Sequence, residues 1–161
     1  MSGGCSTRTC VSGPRLPVPV RAEIVRRKLL DIGEAVGRLR SWLPVTVDSL
    51  EQDLMLQWAV THGLHIAAES LFDAGGHILA GEFQEVVDEY REIPTRLLAR
   101  GVISRETAKR LESLAGFRNV LVHEYAAIDL RRVHAGLGRL DDLEAFVADV
   151  ENWLLRRKGP R

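Results

Sequence analysis

Nine consecutive residues, Phe117-Arg118-Asn119-Val120-Leu121-Val122-His123-Glu124-Tyr125, place an arginine, an amide, an imidazole and a phenol in an otherwise apolar run. Histidine suits proton transfer because its unperturbed pKa lies near neutrality. Arginine suits an anion such as a phosphate, since its planar donors match two oxygens and its charge persists. Asn119, four residues before His123, can orient the imidazole or donate to the same anion. Upstream, Leu111, Leu114, Phe117 and Leu121 recur at helical spacing. With about 100° per residue, they share one arc with Ala115 and Val122. Arg118 projects from the middle of that arc, and Asn119 and His123 sit together on its flank. A guanidinium buried without a partner is costly, so Arg118 must reach a counter-group, a ligand or a cleft. Taken singly, a snorkelling arginine and a surface histidine are ordinary features; the clustering is what argues for a site.

The elements that must carry this stretch are helical throughout. Residues 1–19 are rich in Gly, Ser, Thr and Pro and show no period, so they are expected to be a disordered tail. Residues 20–158 form the domain. A first helix over 20–42 has the stripe Ile24, Leu29, Ile32, Val36 and Leu39, and Pro44 ends it. Its Gly33 and Gly37 weaken it and offer a place for a neighbouring helix to approach. Thr46 or Asp48 caps a long second helix whose side Leu50, Leu54, Trp58, Thr61, His65 and Ala68 runs on towards Leu79, with a kink or fraying expected at Gly75-Gly76. Glu69, Asp73 and His77 make a polar ladder on it, which by itself is an ordinary solvated face. Residues 81–104 hold one short helix with Pro94 in its first turn and Gly101 just past its end. Ser104 caps the helix that carries the opening stretch, and Asp129 caps the last helix, with Val133, Leu137, Leu140, Leu143, Val150 and Leu154 as its stripe. No strand alternation and no repeat appears. The expected fold is an all-α up-and-down bundle of four to five helices.

Composition bounds the function. The chain has 161 residues, 45% hydrophobic and 27% charged, an ordinary globular balance for one domain. No apolar run approaches the roughly 18 residues a membrane span needs, and no apolar leader follows Met1, so a cytoplasmic protein is expected. Residues 1–40 hold eight Lys/Arg against three acids and residues 150–161 four against one, which leaves ten basic and eighteen acidic residues between. General coating of nucleic acid is therefore excluded, and any RNA contact must be local. Cys5 and Cys10 have no zinc spacing and read as free thiols. His62 and His65 lack a second ligand pair and read as structural. Neither metal nor cofactor is called for.

The pattern of Arg118, four residues, His123, one residue and Tyr125, set in the phrase GFRNVLVHEY, resembles the signature of the HepT-like HEPN proteins, prokaryotic ribonuclease toxins. The resemblance covers about residues 20–156 and implies the same helical bundle. It also implies a homodimer whose cleft combines two copies of the motif. In that cleft His123 is acid or base, Arg118 stabilises the phosphate and Asn119 supports them; Glu69, Asp73 and His77 have supporting roles. The implied activity is metal-independent cleavage of RNA, in the setting of a type VII toxin–antitoxin system. The implied partner is a minimal nucleotidyltransferase antitoxin of the MntA type, which transfers AMP to the tyrosine of the motif, here Tyr125. A second reading is a non-catalytic helical module that binds such a nucleotidyltransferase. The intact Arg118–His123 pair favours the enzyme and the acidic middle section favours the module.

Overall fold

The computed structural model describes residues 22–123 and 128–157, with only the helical backbone given over 115–123. The expected tail, Cys5, Cys10 and Tyr125 lie outside the described residues. Seven α-helices and one 3-10 turn are found among them: α1 (Ala22–Ser41), α2 (Val47–Gln52), α3 (Leu54–Phe83), the turn Tyr90–Glu92, α4 (Ile93–Ala99), α5 (Arg105–His123), α6 (Leu130–Leu137) and α7 (Leu140–Arg157). The all-α fold class read from the sequence is thus observed.

Contacts between side chains give the directions of the four long helices. Lys28 meets Asp73 and Leu39 meets the backbone at Gly63, so α1 and α3 are antiparallel. Arg40, at the end of α1, bonds Asp141 and Glu144 at the start of α7. Ser104 and Arg110 on α5 pair with Asp149 and Asp142, so α5 and α7 are antiparallel too. Arg157 with Glu82 brings the ends of α7 and α3 together. α1, α3, α5 and α7 therefore alternate in direction, the up-and-down order expected of a bundle. Phe146, Phe72, Ile32, Leu71, Ile78 and Leu111 lie fully buried in one continuous core.

Local chemistry sets most of the boundaries. Thr46 and Ser49 form a reciprocal capping box on α2, at 3.0 and 3.1 Å. Gly101 adopts φ +66°, a left-handed conformation, and its N–H and that of Val102 bond Leu98 and Leu97 at 2.9 Å, closing α4 with a Schellman motif. Asp129 accepts from the N–H groups of Arg131 and Arg132.

Two expected segments are divided. Asp53 takes an extended conformation and accepts from Met55 and Leu56 N–H, both at 3.0 Å, so a new helix starts where one long helix was expected. The break shifts the buried arc of α3 onto Val60, Leu64, Ala67, Leu71 and Ile78, and leaves Leu54 and Trp58, expected on one side with the buried Ala68, exposed. The last helix divides at Gly138, after which Arg139 turns back to bond Asp142, Ser113 and the Arg110 carbonyl. The glycine expectations are also corrected. Among the described residues a Cβ at Gly33 or Gly37 would meet nothing within 4 Å, so no described helix approaches there. At Gly75 it would lie 2.5 Å from Ile93 Cγ2, and α3 runs unbroken through this residue to let α4 pack close.

Candidate active site

α5 is positioned by its first half. Ser104 Oγ accepts from Thr107 N–H at 3.2 Å, Glu106 lies in the positive first turn, and Thr107, Ala108, Leu111 and Leu114 are buried. The helix packs on α3, α4, α7 and the Tyr90–Glu92 turn. It then continues as helix to His123, so Arg118, Asn119 and His123 stand on one rigid element. In that geometry Asn119 and His123 are about 6 Å apart along the axis and nearly on one line, while Arg118 and His123 are separated by about 7.5 Å and roughly 140°. Side chains at these three positions and all of Tyr125 lie outside the described residues.

The supporting residues are on α3, and they separate into two surroundings. Glu69 bonds the His65 imidazole, Oε2 to Nε2 at 3.1 Å. Asp73 and His77 instead line a cleft of about 390 Å³ between α3 and residues 85–93. Phe72, Gly76, Glu85, Asp88 and Tyr90 are among its walls, with Ala80, Val86, Val87 and Ile93 as the apolar remainder. The segment holding Tyr90 and the helix holding Asp73 both pack against α5. Phe72 and Tyr90 stack at a tilt, with centroids 5.5 Å apart and planes at 58°.

Charge in this cleft is largely balanced. Asp73 accepts from Lys28 Nζ at 2.8 Å, and Glu85 is held by Arg100 and Arg96. The hydrogen bond to Asp73 holds the Lys28 ammonium above its ordinary pKa, partial burial opposes this, and the Asp73 charge adds to the rise. The sign is that of a group whose folded pKa is raised. Its contribution is complete below the unfolded value near 10.5 and fades as pH climbs through the folded one. A Lys28→Met variant should thus lose stability against urea at pH 7, and the gap to the wild type should narrow in melts taken above pH 11. Among the described residues no three His, Cys, Asp or Glu side chains converge in a way that could hold a metal ion.

Lys28, Phe72, Tyr90 and Asp88 were not singled out by the sequence. Lys28 lies off the apolar stripe of α1 and gains meaning only once α1 and α3 are set antiparallel. Asp88 and Tyr90 lie in a stretch whose apolar pattern is that of a connection, and Phe72 is a buried residue in the middle of α3.

The fold is an up-and-down helical bundle with Arg118 and His123 on α5. The family model described as "Ribonuclease HepT-like" matches residues 32–150, which span the motif, and the chain belongs to that family. The relationship read from GFRNVLVHEY is thereby borne out. The chain is similar to the mRNA nuclease HepT of Shewanella oneidensis, with 25% identity over 126 residues, 78% of this chain and 94% of the relative. It is also similar to a putative RNase of Archaeoglobus fulgidus, 32% identical over 85 residues, 53% of this chain and 64% of the relative. Among solved structures, the tri-AMPylated Shewanella oneidensis HEPN toxin in complex with MNT antitoxin superposes with a TM-score of 0.69, at 24% identity, covering 81% of this chain and 98% of the other. YutE of Bacillus subtilis, a cytosolic protein of unknown function, gives 0.75 at 17% identity, covering 88% and 96%. These two likenesses establish the fold.

Proposed function

We propose that this chain is the toxin of a HepT/MntA-like pair, a cytoplasmic endoribonuclease that cleaves RNA without a metal. The observation that carries the reading is the Arg118–x4–His123 spacing on the unbroken end of α5, inside the region matched by the ribonuclease family. Relatives named as a nuclease of mRNA and as an RNase support the substrate class.

Cleavage of an RNA phosphodiester needs a base for the 2′-OH, a cation for the phosphate and an acid for the leaving 5′-oxygen. His123 supplies proton transfer and Arg118 pairs with two phosphate oxygens, with Asn119 orienting one or the other. Attack of the 2′-oxygen on phosphorus displaces the 5′-oxygen and leaves a 2′,3′-cyclic phosphate. One α5 carries one such imidazole, whereas in-line transfer places acid and base on opposite sides, so a two-fold dimer provides both. Leu54, Met55 and Trp58 offer apolar surface for a second copy, since Met55 is 80% and Trp58 69% exposed at the start of α3. A Trp58→Glu variant should remain folded and shift the mass measured by light scattering from two chains towards one, with loss of RNA cleavage.

Regulation follows from Tyr125, two residues beyond His123. The solved toxin complex contains an AMPylated toxin and an MNT antitoxin. AMP on Tyr125 would place an anion beside the phosphate site and exclude RNA by occupation and repulsion. The experiment is direct: purified protein in EDTA, given RNA, should yield 2′,3′-cyclic phosphate ends, and co-expression with a minimal nucleotidyltransferase should add AMP to Tyr125 and stop cleavage. No cleavage by the unmodified protein would leave the non-catalytic module as the function.

A further inference from the structure

The cleft between α3 and residues 85–93 contains one carboxylate, Asp88, without a partner among the described residues. Asp73 is held by Lys28, and Glu85 by Arg96 and Arg100. Among the described residues the Asp88 carboxylate makes no hydrogen bond or ion pair, and it is exposed at the cleft wall. His77, also exposed, lies on the α3 side, and Tyr90, 39% exposed and seated against Phe72, on the other. With Asp73 and Glu85 paired, Asp88 is the carboxylate of this cleft left outside an ion pair among the described residues. A neutral planar ligand with two adjacent donors matches it. RNA-binding proteins hold unstacked bases in this way, by aromatic contact on the faces and hydrogen bonds on the Watson–Crick edge.

We propose that this cleft is a nucleobase subsite that selects guanine, whose N1–H and N2–H donate to the Asp88 carboxylate while its ring lies between His77 and Tyr90. A carboxylate only accepts, and guanine alone among the four RNA bases presents two neighbouring donors on that edge. Adenine and cytosine each offer one donor beside an acceptor, which the carboxylate repels. Gly76 keeps the floor open, as a Cβ there would meet nothing within 4 Å. The volume of about 390 Å³ admits a purine with its ribose. The inference rests on the ribonuclease reading for the source of the base.

The test is a nucleoside titration of the full chain followed by NMR, with guanosine, inosine, adenosine and cytidine as probes. Guanosine should bind roughly tenfold more tightly than adenosine, with inosine, which lacks the 2-amino group, in between, and should shift the Gly76 and Asp88 amides. Asp88→Asn, an exposed and isosteric change, should remove the preference. Equal affinities, or a guanosine preference that survives Asp88→Asn, would overturn the proposal. So would tighter binding of Nα-acetyl-arginine amide than of guanosine, which would make the cleft a receptor for a protein side chain. Because the readout is binding, selective guanosine uptake by a chain that cuts no RNA would sink the nuclease reading alone.

Discussion

An alanine at position 123 should lower the rate of RNA cleavage by about 10²–10⁴-fold, the span expected when a positioned proton-transfer group is lost. The change lies at the end of α5, beyond the buried Leu111 and Leu114 that anchor the helix, so the thermal midpoint should stay close to that of the wild type. Single-turnover cleavage of a labelled RNA, read beside a melting curve, separates a chemical defect from a folding one. Arg118→Ala should be comparably slow and should also weaken RNA binding, because a guanidinium holds the phosphate in both ground and transition states. A His123→Ala protein that cuts at the wild-type rate would remove the imidazole from the mechanism.

The largest effect on stability is expected at Phe146. It is fully buried on α7 within the core that joins α1, α3 and α7. Truncation to alanine should cost about 3–5 kcal/mol, the lost transfer energy of the ring together with the cavity left behind. For a domain of this size that corresponds to a fall in the midpoint on the order of 10 °C. Urea denaturation of the two proteins checks it, and a loss under 1 kcal/mol would mean the neighbouring side chains collapse into the space. Trp58→Glu provides the contrast. Trp58 is a large aromatic residue as well, but it faces solvent, so the midpoint of the separated chain should barely move.

Features fixed by nearest neighbours were legible in the sequence. Thr46, Ser104 and Asp129 cap their helices through side-chain oxygens that reach an N–H two or three residues on, and Gly101 supplies the one left-handed glycine that ends α4. The motif was legible for the same reason, being a spacing within a single helix. What depended on tertiary packing was not. Asp53 could as well have sat inside a helix, and its capping role appears only with α2 turned against α3 and α6. The phase of α3 could not be set until that break was known, which is why Trp58 was placed on one side with Ala68, which is buried. The ladder of Glu69, Asp73 and His77 was visible, but its division between His65 on one side and the cleft on the other follows from the position of α1 and residues 85–93.

Gly75 has a bearing on all of this. Because the residue has no side chain, Ile93 rests directly on the α3 backbone, and Ile93 follows the turn that presents Tyr90. A single added methyl would wedge the two helices apart at that point, since the Ile93 branch it would strike is itself enclosed. The gap between the α3 wall and the Tyr90 wall is therefore gauged by the hydrogen atom of Gly75, on which the cleft residue Ile93 rests. Widening it requires no change in any group that would touch RNA.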